Sequence, residues 1–457
     1  MKRKFMGYIF PSMLSFLLTG IYSIIDGIFV GRAMGDPGLA AINIAWPLVA
    51  LTISLGTGIG MGAAVIMSLN VGAGQMQKAK KAEASAFLLL LIGGIVLVLL
   101  LALLGPSLLF LLGAKGELLP LAWTYLRYVL YGALIQIFAT GMIPLMRNHG
   151  AAVYSMFSMA SGCVANIFLD YLLVLHYPLG LKGAALATVI GQFVTLLFCL
   201  AFFLKKENRI PLSLFRPDRQ LIKSILRVAL SPFGLTYLPS VTIILMNLQT
   251  LRYGGEEAVS AYAVLAYIIS FMELLVQGIG DGSQPLLSVS EGKKDQKSLR
   301  LYALLTFSLS ITLGIAGAVL FYLCRNLIPV LYGTSKEAAG YISYAAPAFA
   351  LIMAFYGLTK PAVSYLYATH KIRRSNLLVY GEILLTLLFL FLLPVFFGKR
   401  GDKLSLLVQS ALIIACEIVT FCRHFPDTEK VILFHPKGTL RQKEALPKDH
   451  FHCALIF

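Results

Sequence analysis

Asp26 and Asp170 are carboxylates set deep inside stretches that otherwise read as membrane-spanning helices. A charged side chain near the bilayer centre costs about 2.5–3.5 kcal/mol on insertion scales, so such a residue faces a bundle interior or a wet cavity and marks an ion or proton site. Asn166 precedes Asp170 by four residues, which puts both on one helix face. Together with Asp26 they can present two carboxylates and an amide oxygen to a common point. Oxygen donors of this kind suit a hard cation such as Na⁺. Two neighbouring carboxylates in low dielectric can equally hold one proton near neutral pH. Thr188, on the next helix, can add a hydroxyl. The competing reading makes these groups helix–helix glue, worth ~0.6 kcal/mol on average.

The elements that must position them are apolar. The chain has 457 residues, 58% hydrophobic and 13% charged, with a mean hydropathy of +0.82. A soluble protein of this size carries far more charge. Continuous apolar runs, each long enough for a ~30 Å hydrocarbon layer, exclude a barrel with its alternating pattern. The expected fold is an all-α polytopic membrane protein. Twelve spans are expected, roughly 8–30, 40–70, 84–112, 120–144, 155–175, 183–204, 228–251, 258–288, 301–323, 338–359, 376–397 and 404–422. The first follows Lys2, Arg3 and Lys4 but is long and lacks a small-x-small cleavage site, so it reads as a retained helix rather than a signal peptide.

With the N-terminus inside, the cytoplasmic segments, Arg147 among them, hold about three times as many Lys and Arg as the outer ones. This excess puts both termini in the cytoplasm. The formal charge of +17 therefore reflects orientation rather than a nucleic-acid surface. The six cysteines, Cys163, Cys199, Cys324, Cys416, Cys422 and Cys453, are scattered and suggest neither a metal site nor a disulfide framework.

Residues 1–204 form an N-lobe of six spans, 205–227 a basic linker, 228–422 a C-lobe and 423–457 a polar cytoplasmic tail. The lobes repeat. A shift of 220 positions pairs Arg32 with Arg252, Gly35 with Gly255 and Ala41 with Ala261. The same shift pairs Gly58, Gly60 and Gly62 with Gly278, Gly280 and Gly282, then Ser68 with Ser288 and Gly72 with Gly292. Twelve helices then form two pseudo-symmetric six-helix bundles of like orientation, an arrangement typical of secondary transporters with a cavity between the halves. The polar groups are not duplicated: Asp26 pairs with Met246, and at a shift of 221 Asn166 and Asp170 pair with Leu387 and Phe391.

The run Ser23-Ile24-Ile25-Asp26-Gly27-Ile28-Phe29-Val30-Gly31 with Gly35 resembles the first-helix signature of the MATE (multidrug and toxic compound extrusion) family. Asn166-Ile167-Phe168-Leu169-Asp170, followed by Gly180 and Gly183-Ala184-Ala185-Leu186-Ala187-Thr188, resembles its fifth and sixth helices. Gln284-Pro285-Leu286 with Gly292 resembles the end of its eighth. The resemblance runs over about residues 8–400. It implies a V-shaped pair of bundles that exports small amphiphilic or cationic, drug-like compounds by alternating access, coupled to Na⁺ or H⁺. Asp26, Asn166, Asp170 and Thr188 match the N-lobe cation site of the DinF-like and archaeal members. The acids that NorM-type members carry on helices seven and ten have no counterpart here. The expected setting is a prokaryotic plasma membrane, with lipid as the surrounding partner and a monomeric chain. A flippase for lipid-linked sugars of the same superfamily is the alternative. An enzyme is not expected, since HExxH, GxSxG and clustered metal ligands are missing from the sequence.

Among the remaining groups, Glu273 is a candidate for cationic substrate, and Tyr22, Met246, Tyr262 and Tyr237 are candidate cavity-lining residues; Tyr154 and Tyr356 are weaker ones. Asp281, between Gly280 and Gly282, reads as serving a helix bend. Glu382 is expected to reach the interface or pair with Arg373 or Arg374, and Lys360 and Arg127 to snorkel. Pro47, Pro144 and Pro239 are candidate kinks. Asp402, Lys403, Gln409 and Glu417 make the twelfth span unusually polar, and residues 402–457 could be a native extension or the product of a shifted reading frame.

Overall fold

The computed structural model describes residues 1–332 and 334–397. The twelfth span and the tail lie outside the described residues. Within them, nine helices are long and apolar enough to cross a membrane, or ten if a bent pair counts as one span. An eleventh long helix, Ile372–Phe397, follows. Leu103, Leu111, Leu204 and Leu323 point outward at 71–78% exposure, as lipid-facing side chains should.

The spans run in order as Lys2–Gly35, Pro37–Gly72, Met76–Leu111, the bent pair Leu118–Tyr131 and Ala133–Asn148, Ala152–His176 and Leu181–Leu204 in the first lobe. The second lobe contributes Arg219–Thr250, Glu257–Gly292, Gln296–Leu323, Lys336–Ala368 and Ile372–Phe397. Two of the sequence boundaries move. The third span starts at Met76 rather than near 84, carrying Lys78, Lys80 and Lys81 on a helical extension beyond the apolar stretch. The seventh starts at Arg219 rather than 228, because Asp218 caps it by accepting from the Gln220 and Leu221 amides, both at 3.1 Å. Lys81 donates to the same carboxylate at 2.8 Å. These partners hold the Asp218 carboxyl below the usual carboxylate range, Lys81 foremost. The connection between the lobes is thereby tied to the third span.

The fourth span is not one rod. Its halves meet at 59°, and the break falls at Gly132 rather than at Pro144. A Cβ on Gly132 would lie 2.9 Å from Val189 Cβ of the sixth helix, so the bend sits where two helices approach too closely for any side chain.

The repeat is written into the backbone. Gly35 (φ 62°, ψ −155°) separates the first two spans, and its counterpart Gly255 (φ 73°, ψ −166°) separates the seventh and eighth. Positive φ with such ψ is open essentially to glycine alone. The glycine triplets also share their packing. In each lobe the middle glycine packs within the lobe: a Cβ on Gly60 would lie 2.7 Å from Gly141 Cα, and one on Gly280 would lie 3.0 Å from Ser364 Cβ. The outer glycines face across. A Cβ on Gly62 would lie 2.7 Å from the Ile225 carbonyl oxygen, and one on Gly58 would lie 2.9 Å from Phe233 Cβ. Reciprocally, Gly278 meets Met13 Cα at 2.9 Å and Gly282 meets Ser12 Cβ at 3.0 Å. Gly72 closes the line against Gly292 Cα at 3.0 Å. The lobes therefore touch closely along the second and eighth helices, near the ends that carry the basic loops. A polar chain crosses the same seam. The Ser68 hydroxyl bonds to Asn148 Oδ1, Asn148 Nδ2 donates to Gln284 Oε1 at 2.9 Å, and Gln284 Nε2 donates to Ser288 Oγ at 3.0 Å.

Candidate functional site

The fifth span forms a regular α-helix from Ala152 to Asp170 and then widens into a π-turn, Tyr171–His176. Such turns are rare and concentrate at functional positions. Asp170 sits at the transition, fully buried, and Asn166 one turn earlier is 3% exposed. The sixth helix reaches this point because Gly191 lacks a side chain: a Cβ there would lie 2.9 Å from Asn166 Cβ and 2.8 Å from the Gly162 carbonyl oxygen. Asp26 arrives from the first helix, close enough to Asp170 for the two carboxylates to interact electrostatically.

The electrostatics of this meeting are unresolved by the protein itself. Asp26 Oδ1, both Asp170 oxygens, and Oδ1 and Nδ2 of Asn166 are buried without a hydrogen-bond partner. Leaving buried polar atoms unsatisfied costs about 1–3 kcal/mol each, more when charged. Four orphaned oxygens on three side chains are a donor set that a bound Na⁺ or a shared proton would satisfy. The Thr188 hydroxyl donates to the Ala184 carbonyl at 3.1 Å, which leaves its own lone pairs available. Thr188, Asn166 and Tyr22 line the same cavity. Tyr125, buried on the fourth span, stands close enough to interact electrostatically with both carboxylates; no periodicity or motif singles it out in the sequence. Among the described residues no group of three or more His, Cys, Asp or Glu side chains gathers as a metal site would.

That cavity lies between the lobes and has a volume of about 310 Å³. Its first-lobe wall includes Tyr22, Asn166 and Arg147, and its second-lobe wall Glu273, Gln277 and Asp281. A smaller cavity of about 80 Å³ lies within the second lobe, lined by Met246, Tyr262, Tyr356, Lys360 and Glu382. Glu273 borders both. Of the candidate substrate residues, Tyr22 and Glu273 thus line the interlobe cavity, and Met246 and Tyr262 line the inner one. Tyr237 is not among the residues lining either; its ring packs against Phe233, with centroids 5.7 Å apart.

Several expectations are corrected. Lys360 does not snorkel to the interface: it is buried, its Nζ lies 2.7 Å from Glu273 Oε1, and the Tyr356 ring centroid is 4.7 Å away. Glu382 does not turn to the interface; it borders the inner cavity, electrostatically coupled to Lys360 and Glu273. Asp281 does more than serve a bend: it accepts from the Tyr367 hydroxyl at 2.9 Å and stands 3.9 Å from the Arg147 guanidinium across the lobe boundary. Arg147, counted in the sequence among the loop cations, is 3% exposed. For Lys360, Glu382 and Arg147 the reason is that helix-end position in sequence says little about which way a long side chain turns; Asp281 differs because its partners come from other helices.

A family model described as MatE matches residues 11–172 and 233–392, one segment in each lobe. The chain belongs to the MatE family. Membership makes this MATE chain a membrane transporter rather than an enzyme. It is similar to the multidrug export protein MepA of Staphylococcus saprophyticus, 25% identical over 404 residues, covering 88% of this chain and 89% of the relative. It is also similar to MepA of Staphylococcus aureus, 23% identical over 412 residues, covering 90% and 91%. Solved MATE structures share the fold. One in a straight conformation has a TM-score of 0.85 at 22% identity, covering 95% of this chain and 97% of that one. A Pyrococcus furiosus transporter of the MOP superfamily, described as having a binding pocket of reverse polarity, has a TM-score of 0.86 at 22% identity, covering 94% and 96%. The all-α, two-bundle MATE fold expected from sequence is the fold observed.

Proposed function

We propose that this chain exports small amphiphilic, drug-like compounds from a prokaryotic cell, coupled to inward movement of Na⁺ or H⁺ at Asp26, Asn166, Asp170 and Thr188. The observation that carries the reading is the set of buried, partnerless oxygens where Asp26 meets Asp170. The multidrug export role of the staphylococcal relatives supports the substrate class. The N-lobe position of the donors supports a site of the DinF-like and archaeal kind. The basic bias of the loops supports a plasma-membrane setting with both ends cytoplasmic. In this reading, ion binding in the first lobe alters how the first and fifth helices pack, and this opens or closes the interlobe cavity.

The test is uptake of a fluorescent amphiphile into everted vesicles under separately imposed Na⁺ and H⁺ gradients. Asp26→Asn and Asp170→Asn should each abolish the gradient-driven component. Full gradient-driven uptake in both variants would remove the site assignment.

A further inference from the structure

Arg147 ends the bent fourth span and faces the interlobe cavity. It is 97% shielded from solvent (3% exposed), and neither its Nε nor its Nη1 has a hydrogen-bond partner. Its acidic neighbour does not supply one. Asp281 Oδ2 is 3.9 Å from Nη1, beyond hydrogen-bond range, while Asp281 Oδ1 accepts from Tyr367. The Phe16 ring, with its centroid 5.7 Å from Cζ, offers a π-face but no acceptor. A guanidinium presents five donors in a planar fork matched to carboxylates and phosphates, and here part of that fork is unspent. Glu273, also on this cavity, is in the opposite condition: it is held by Lys360 at 2.7 Å.

We infer that Arg147 binds an anionic oxygen group of the exported compound, most simply a carboxylate, so that the cavity favours zwitterionic amphiphiles over plain cations. The inference rests on the export reading above and sharpens its substrate class. The compound's carboxylate takes the part of the Arg147 fork that borders the cavity. Its aromatic body lies along Tyr22 and Phe16, and any positive end sits toward the Glu273 side. The ion site at Asp26 and Asp170 is not part of this contact.

The test uses the purified full chain and two probes that differ by one methyl group: a rhodamine with a free carboxylate, a zwitterion, and its methyl ester, a cation. Fluorescence anisotropy reads both affinities without any ion gradient, so failed coupling and failed recognition are separable. The wild type should prefer the zwitterion by about ten- to hundredfold, the range of a charge-assisted hydrogen-bonded contact. Arg147→Gln should erase the preference by weakening the zwitterion and not by weakening the ester. Asp281→Asn, which removes the competing carboxylate, should enlarge it. Equal binding of both probes by the wild type, no binding of the zwitterion, or an equal loss for both in Arg147→Gln would each overturn the inference. If Arg147→Gln does not fold, Asp281→Asn decides alone, and an unchanged or smaller preference counts against it.

Discussion

Lys360 Nζ lies 2.7 Å from Glu273 Oε1, with both side chains at most 10% exposed. The second lobe therefore carries its own tethered ammonium where the first lobe presents bare carboxylates. This asymmetry of charge is laid over a symmetric backbone.

Lys360→Met leaves Glu273 buried and unpaired, and should destabilise the protein by about 3–5 kcal/mol. The double variant Glu273→Gln/Lys360→Met removes both charges and should recover most of that loss. Thermal unfolding in detergent compares them, and equal losses in the single and double variants would mean that the pair does not act as a pair.

Ion binding to the first lobe should be visible as stabilisation. If Na⁺ occupies the Asp26–Asp170 site, the melting temperature should rise with Na⁺ at constant ionic strength, by RT ln(1 + [L]/Kd) in free energy. K⁺ or choline should not reproduce it, and Asp170→Asn should flatten the response. A flat response in the wild type leaves the proton as the coupling ion.

The glycine triplets separate stability from conformation. Gly60→Ala pushes a methyl group into Gly141 of its own lobe and should cost about 1–3 kcal/mol, as overpacking does. Gly62→Ala meets Ile225 and Ala229 across the seam, so the lobes can part instead. It should increase labelling of cysteines placed on the seam from the basic-loop side, with a smaller thermal penalty. Identical behaviour of the two variants would contradict this division.

The Asp218 tether should depend on pH in one direction. Its carboxyl is held below the ordinary value of about 3.9 by Lys81 and the Leu221 and Gln220 amides. A depressed pKa contributes stability that is present above the ordinary value and lost as pH falls through the lower, folded value. Hydrogen exchange at Gln220 and Leu221 should thus show constant protection at pH 5–6 and weaker protection below about pH 4. Asp218→Asn should remove that pH dependence.

The spans were legible because hydropathy must match the bilayer over long stretches. The repeat was legible because Gly35 and Gly255, or Gly60 and Gly280, meet the same backbone constraint twice. The meeting of Asp26 with Asp170 could be anticipated because isolated acids in apolar helices have few places to go. Arg147, Lys360 and Glu382 were misjudged for a different reason: each lies near a helix end, where a long side chain can reach water or turn inward with little change in sequence pattern. Tyr125 and the π-turn after Asp170 depend on contacts from other helices and on local backbone widening, neither of which leaves a periodic trace.

Where Gly58, Gly62, Gly72, Gly278, Gly282 and Gly292 line the seam, one face of each contact is bare backbone, with no side chain of its own to withdraw. Such bare-backbone tracks act as a bearing: one half can roll over the other with few rotamer changes. The energy needed to reverse the transporter's opening is then set mainly by the few hydrogen bonds and charges bridging the track.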